Sequence, residues 1–438
     1  MELTARRLTD IYICLMLAAF PLWTGFEGYT GITRAKFLFF AALTGLWLAA
    51  LALCALKYQA RLRRPRGFAL CVLAFMAAAC LSAAFSVIFQ HALLGGNRYD
   101  GLVTLLLYGC IALGVSRWGQ SRELYVNLTA LAAGLCALVC FLQLLRVNVL
   151  GLFPDGLDFY DAGTRYSGEF LGTIGNTNLL AGWFCLVIPL LTLSALRAKG
   201  VRRWLLLLPA AGCLALLIVI SAQSGLAGCL GCLLIVSPYY VNYAGRRKAA
   251  LALGVAILAL CIASLASVYL WPPDGGTLWE LSEILHGRAQ DGFGSSRVAI
   301  WREALRLFAE RPLLGGGPDS FGLRSALDFS RYVPETGQTL KTHADNAHCE
   351  PLGYLVNLGI LGFAAWAAVT IAALRRWLRG AGPEYGAGLV CYLVQSLFGL
   401  GLCLVAPIAW VYMGLICSKI EEGETCLEEE GASLRPTS

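Results

Sequence analysis

Long apolar runs recur along almost the whole chain and constrain its fold more than any other feature. About twelve have the length of a membrane-spanning helix, which needs roughly 20 mainly apolar residues. They lie at residues 8–26, 37–56, 68–89, 101–115, 124–145, 178–196, 204–221, 225–241, 249–270, 352–374, 386–401 and 402–417. Of all residues, 58% are hydrophobic and only 14% are charged, which excludes an ordinary soluble domain. The sequence therefore predicts an all-α integral membrane protein with about twelve transmembrane helices.

Lysine and arginine residues gather in alternate connections between these runs. Cytoplasmic loops of membrane proteins carry such an excess of basic residues. On the opposite side, the short connections contain only Arg34, Lys36 and Arg98 as exceptions. We therefore predict that both termini are cytoplasmic, and that the protein lies in the cytoplasmic (inner) membrane. The same alternation predicts an extracytoplasmic position for all four histidines, which are His91, His286, His343 and His348.

The pattern predicts four parts of the chain. They are an N-terminal membrane bundle of about nine helices (1–270), a large extracytoplasmic helical loop (271–350), C-terminal membrane helices (351–418) and an acidic cytoplasmic tail (419–438). The large loop lies between the ninth and tenth spans and is too long to be a mere connection. We therefore expect it to be the catalytic loop.

The 17 cysteines lie almost entirely within the apolar runs. Their spacing matches neither a known metal-binding motif nor a disulfide framework. They are interpreted as small buried hydrophobic residues.

Residues 296–309 of the large loop (SRVAIWREALRLFA) predict an amphipathic helix. Its apolar stripe would consist of Val298, Trp301, Leu305 and Phe308. Arg297 stands at the start of this helix, where a cation opposes the helix dipole. An anion should offset its charge, either a carboxylate such as Asp291 or an anionic ligand.

A glycine-rich turn follows, with Gly315, Gly316 and Gly317 after a proline. Such a turn can present its backbone amides to a phosphate group. The turn lacks the lysine and serine or threonine of a nucleotide-binding loop, so a tight structural turn is an equal alternative.

The segment 341–351 leads into the next apolar run. Pro351 is tolerated only in a first helical turn, so the helix should begin near residues 346–349, with His348 at its mouth. A helix N-terminus disfavours a charged imidazole and attracts anions, which suits a neutral histidine beside a phosphate. A solvated capping histidine is one alternative. The other is a divalent metal site, with ligands from His343, Asp345, His348 and Glu350.

Two further extracytoplasmic segments contain candidate binding residues. Residues 95–101 (GGNRYDG) include Arg98 and Asp100, and residues 172–178 (GTIGNTN) include Asn176. Simple turns or helix caps would explain both segments equally well.

Four segments in this order resemble the O-antigen ligase and O-antigen polymerase superfamily, which are bacterial membrane glycosyltransferases of the C-type fold. They are GGNRYDGLVTLLLY, GTIGNTNLLAGW, SSRVAIWREAL with ERPLLGGGPDSF, and DNAHCEPLGYLVNLGILG. The resemblance implies an undecaprenyl-diphosphate-linked glycan as donor and a glycan, lipid or protein as acceptor. The basic residues cluster in short loops between apolar runs, which indicates membrane topology and no nucleic acid partner. By position, His348 would be the catalytic histidine that activates the acceptor hydroxyl, and Arg297 would hold the diphosphate. Neither a metal nor another cofactor is implied.

The chain departs from the family pattern at three places. Residues 221–225 (SAQSG) have Ser224 where the family usually has an arginine, so Arg98 is our candidate for that second phosphate contact. Cys349 stands in place of an asparagine, and Pro351 in place of a tyrosine. The predicted reaction is a metal-independent, inverting glycan transfer. The alternatives are a transporter or flippase of lipid-linked sugars and a peptidoglycan-type membrane polymerase.

Overall fold

The computed structural model describes residues 2–59, 67–145, 147–152, 158–161, 164–167, 172–333 and 338–418. The predicted acidic tail at 419–438 lies outside the described residues. The sixteen α-helices of the described part are α1 (Glu2–Leu22), α2 (Ile32–Lys57), α3 (Phe68–Ala84), α4 (Phe89–Leu94), α5 (Leu102–Trp118), α6 (Glu123–Leu144), α7 (Thr177–Arg197), α8 (Gly200–Val219), α9 (Gln223–Tyr243), α10 (Arg247–Leu270), α11 (Gly276–Leu285), α12 (Phe293–Glu310), α13 (Phe321–Arg324), α14 (Glu350–Leu378), α15 (Pro383–Ser396) and α16 (Ala406–Ile416).

The structure supports the predicted class of helical membrane protein. Each of the twelve predicted runs overlaps one of these helices. Within the described part of the chain, seven helical segments are long and apolar enough to cross a membrane. They are Tyr29–Lys57, Glu123–Leu144, Thr177–Arg197, Gly200–Val219, Gln223–Tyr243, Arg247–Leu270 and Glu350–Leu378. The count of twelve spans stays a prediction.

Two antiparallel hairpins were not expected from the sequence. Strands β1 (Asp158–Asp161) and β2 (Thr164–Ser167) form one, and β3 (Asp328–Val333) and β4 (Gln338–His343) form the other. The second hairpin lies in the large loop, which is therefore not wholly helical.

The hydrophobic core lies between helices that are distant in sequence. Helix α15 packs against both α7 and α9, and α14 packs against α3. Helix α10 differs from the other six long apolar segments, because only 6% of its most apolar 18-residue stretch is buried within the protein.

Helix α12 confirms the predicted amphipathic helix, and its buried face coincides in part with the predicted stripe. Its regular geometry begins at Arg297, because the three preceding residues, 294–296, have positive φ angles. A small cluster with the first turns of α14 buries Ile300, Ala304 and Leu307. Of the predicted stripe, Trp301 and Phe308 pack against this cluster, whereas Leu305 is exposed. Apolar residues occur on more than one face of this helix, and packing against α14 selects the face that is buried.

Helix α14 is interrupted at Gly359, which has a φ of 67°. The backbone groups freed by this break bond to the glycine turn of the large loop. The Gly316 and Gly317 amides donate to the Val356 and Asn357 carbonyls at 3.1 and 2.9 Å, and the Ile360 amide donates to the Pro312 carbonyl at 2.8 Å. Backbone groups at membrane depth need such partners, since lipid provides none.

Replacing Gly359 by alanine should destabilise the protein. A Cβ there would lie 2.3 Å from the Leu313 carbonyl oxygen, and the positive φ alone costs about 1–3 kcal/mol for other residues. Gly353 in the same helix is the matched control, because a Cβ at that position has no neighbour within 4 Å. We expect a lower Tm for Gly359→Ala and an unchanged or higher Tm for Gly353→Ala in thermal unfolding of the detergent-solubilised protein. Equal Tm values for the two variants would contradict the assigned break.

Candidate functional site

Three segments of the chain converge at the N-terminus of α14. The loop between α4 and α5 joins the start of α14 through Arg98, whose Nε and Nη2 both donate to the Asp345 carboxylate at 2.8 Å. The turn after α12 joins the same loop, because the Gly96 amide donates to Asp319 Oδ2 at 2.6 Å. The predicted residues Arg98, Asp345 and His348 therefore meet in space.

His348 lies immediately before α14, whose N-cap is Cys349. Its backbone amide donates to Asn346 Oδ1 at 3.1 Å, and its φ of 47° is rare for a residue with a side chain. Burial, together with the nearby Arg98 and Arg297 charges, lowers the pKa of the imidazole to about 4. The ring is therefore neutral at pH 7 and can accept a proton.

Arg297 has no carboxylate partner among the described residues. Its Nη1 and Nη2 donate to the backbone carbonyls of Gly294 and Phe398 at 2.8 and 3.1 Å, while its buried Nε has no partner in the described structure. Asp291, the predicted counter-ion, bonds instead to Arg302. Burial lowers the pKa of the Arg297 guanidinium, as expected for a charge that is only partly compensated.

Arg98 is held rigidly and still has donors to spare. A guanidinium has five N–H groups, and the bidentate contact with Asp345 uses two of them. Its side chain is 28% exposed, so the remaining donors can reach a ligand. The side chain is thus suitably placed for the predicted anion contact.

Asp100, Asp319 and Glu350 line one small cleft, whose cavity volume is about 30 Å³. Burial raises the pKa of both Asp100 and Asp319. Repulsion from Asp319 and Glu350 adds to the shift of the Asp100 pKa, and repulsion from Asp345 adds to that of Asp319. Glu350, predicted as a binding residue, is buried at the start of α14. Its carboxylate lies so close to Gly401 that a Cβ at that position would be 2.3 Å from the carboxyl carbon. The cleft is therefore acidic and tightly packed beside the arginines.

The glycine turn is a structural feature. The Gly315 amide donates to the Arg311 carbonyl at 3.0 Å, and the Gly316 and Gly317 amides bond to α14. All three amides are thus occupied, which corrects their predicted role as a phosphate cradle and favours the alternative of a tight turn. Asn176 also has a structural role, because it caps α7 by accepting from the Asn178 and Leu179 amides.

His343 lies on the exposed hairpin, with both ring nitrogens engaged. Nδ1 lies 2.7 Å from Asp328 Oδ1, and Nε2 lies 2.8 Å from the Gly322 carbonyl oxygen. The carboxylate and the carbonyl both favour the protonated ring and raise its pKa. A divalent metal shared by His343 and His348 would have to displace one of these two contacts, because a histidine ligates a metal through one ring nitrogen.

Asp319 and His91 are site residues that our sequence reasoning did not single out. His91 Nε2 lies 3.0 Å from the Asp319 carbonyl oxygen and 3.6 Å from its Oδ2. Backbone strain marks the same region. Of the seven residues other than glycine with positive φ in the described structure, five adjoin the site, namely Tyr99, Ser295, Ser296, Asp319 and His348. No sequence motif predicts such strain, which accumulates where surrounding structure imposes a geometry.

We expect the pKa values of His348, at the helix mouth, and His343, on the hairpin, to be shifted in opposite directions. His348 should stay neutral down to about pH 4, because its burial opposes the charge, whereas His343 should keep its proton above the usual pKa near 6.5. Titration of the histidine ¹³Cε1 resonances by NMR measures both values, with His348→Gln and His343→Gln for assignment. A His348 resonance that titrates near pH 6.5 would contradict the site described here.

No curated protein matches the chain. Residues 210–367, which contain Arg297, the glycine turn, His348 and the break in α14, match the family described as O-antigen ligase (Wzy_C). The match supports a glycosyl-transfer enzyme in a membrane, and it confirms the family resemblance that the motifs predicted. Residues 210–367 are therefore similar to the O-antigen ligase family.

Proposed function

We propose that the protein transfers a glycan from an undecaprenyl-diphosphate carrier to an acceptor hydroxyl, with inversion at the anomeric carbon. The observation that carries the proposal is the position of half-buried His348 at the mouth of α14, where Arg98 is held by Asp345 and where the Arg98 and Arg297 charges lower the pKa of its imidazole. A base and two cations are what this displacement needs.

In the proposed reaction, a His348 ring nitrogen takes the proton of the acceptor hydroxyl. The acceptor oxygen forms a bond to the anomeric carbon from the back side, and the bond from that carbon to the diphosphate oxygen breaks. The diphosphate leaves with the electron pair, and its growing negative charge is stabilised by Arg297 and the free donors of Arg98. These guanidinium groups supply the charge stabilisation, so the proposed mechanism needs no metal ion.

The proposed topology places this chemistry at the outer face of the cytoplasmic membrane. The basic residues of the alternate connections support cytoplasmic termini, twelve spans and an extracytoplasmic segment 271–350. The donor is then a lipid-linked glycan in the outer leaflet, and the acceptor is another glycan, a lipid or a protein. The first two acceptors would make the enzyme a polymerase or a ligase, respectively.

The first test replaces His348 or Arg297 by alanine. Because a general base contributes about 10²–10⁴-fold to a rate, His348→Ala should lower glycan transfer by at least 100-fold. Arg297→Ala should cause a similar loss, while Arg302→Ala, on an exposed part of the same helix, is the matched control and should stay active. The assay mixes purified protein with a lipid-diphosphate glycan and an acceptor, and measures both released carrier diphosphate and the new linkage.

Each outcome of that assay is informative. Transfer with release of carrier diphosphate and an inverted linkage supports the proposal. In a vesicle version of the assay, movement of the intact lipid across the membrane without release of carrier diphosphate would identify one alternative, a flippase. Full transfer by correctly folded His348→Ala protein, or a retained anomeric configuration, would refute the mechanism.

The second test concerns Asp319, which positions the loop that contains Arg98. Asp319→Ala removes the acceptor of the Gly96 amide, so the loop should shift and transfer should fall about 10- to 100-fold. Asp319→Asn keeps an acceptor oxygen and should recover much of the activity. Asp328→Ala removes the other aspartate–histidine contact, on the hairpin, and serves as the control. Equal activity of Asp319→Ala and Asp328→Ala would contradict the positioning role.

A further inference from the structure

Three cysteines far apart in the sequence converge inside the membrane bundle. Cys185 lies on α7, Cys229 on α9 and Cys391 on α15, and their Sγ atoms all lie within 4.8 Å of one another. All three are free thiols. We call these residues the thiol cluster. Among the described residues, it is the one group of histidine, cysteine and acidic side chains with such mutual distances.

The packing of the three helices fixes this convergence. Helix α15 lies against both α7 and α9, and Cys185 and Cys391 are fully buried there. At a rise of 1.5 Å per residue, Cys185 and Cys229 lie roughly 8–12 Å from the starts of α7 and α9, and Cys391 lies a similar distance from the end of α15. The three thiols are therefore at a similar depth in the bundle. The thiols therefore meet because of the packing, and no local sequence spacing is involved.

We propose that the thiol cluster binds a soft metal ion, and that Cu(I) matches it best. Thiolates prefer soft ions such as Cu(I) and Zn(II). With a metal–sulfur distance of about 2.3 Å, three sulfurs around one ion are about 4 Å apart. The observed separations thus need to shrink by less than about 1 Å, which rotation about the cysteine χ1 angles can provide.

The number of ligands favours Cu(I) over Zn(II). Structural zinc sites almost always have four ligands, whereas the thiol cluster provides three. Cys232, one turn further along α9, is the nearest source of a fourth sulfur, but its Sγ bonds to the Ala387 carbonyl at 3.4 Å. Binding of Cu(I) needs no electron transfer. Each thiol that becomes a thiolate ligand releases one proton to solvent.

This site is separate from the His348 cleft in its residues and is independent of the proposed glycan transfer. Binding would join α7, α9 and α15 through one ion and should stabilise their contact, since a ligand that binds only the folded state raises its stability.

The test uses the full-length protein in detergent, with Cu(I) supplied anaerobically in a thiol-free reducing buffer against a bathocuproine chelator of known affinity. We expect one Cu(I) per chain, an X-ray absorption spectrum with three sulfurs at about 2.3 Å, and a raised Tm. Cys185→Ala and Cys391→Ala should each weaken binding at least tenfold. Cys417→Ala, a buried cysteine outside the cluster, should bind as the parent does.

Three results would overturn the proposal. They are complete loss of Cu(I) to the chelator, equal retention by Cys391→Ala and parent protein, and an X-ray absorption spectrum of the reduced protein without three sulfurs around the ion. Gel filtration of each variant shows whether it is folded, and the single variants keep the test valid if a triple variant fails to fold. Measuring glycan transfer with copper-free protein tests the proposed function separately from Cu(I) binding.

Discussion

The pairing of the glycine turn with the break in α14 is the constraint on which the site depends. A helix that breaks at membrane depth exposes amides and carbonyls that lipid cannot satisfy. Here the turn after α12 supplies those partners, and the Ser82 hydroxyl on α3 bonds to the Leu314 and Asn357 carbonyls at 2.6 and 2.9 Å. Three distant segments are thereby fixed to one another. The start of α14, with His348, is held against the loop that contains Arg98.

Acidic and basic side chains are arranged unevenly around the start of α14. The acidic residues are buried in the cleft, where Asp100 and Asp319 have raised pKa values and hold their protons more readily than exposed carboxyl groups do. The arginines lie beside a histidine that burial keeps neutral. An arriving diphosphate would therefore meet positive charge and a free base, with less repulsion from the acids than their number suggests. Arg297 has a buried, unpartnered Nε and no carboxylate nearby among the described residues, so an arriving anion would compensate its charge.

Some of this follows from local sequence rules. Pro351 and the preceding polar residues predicted a helix start near His348, and the structure begins α14 at Glu350. The predicted apolar stripe of α12 matches its buried face only in part, because Trp301 and Phe308 pack against the buried cluster whereas Leu305 is exposed. Apolar residues on several faces leave that choice to the tertiary packing. The role of the glycine turn was open, because the sequence does not show whether a backbone amide is free or already hydrogen-bonded. Only the position of α14 decides between them.

By itself, the sequence determined the class of the fold, the apolar helices and the residue types available for chemistry, because hydrophobic length and charge alternation act locally. The tertiary structure decided which of these residues meet. It brought Arg98 to Asp345 across 247 positions, placed Asp319 beside His91, and gathered three cysteines from separate helices. The reason is physical: side-chain partnerships across a bundle depend on helix rotation and packing, and no single segment encodes either.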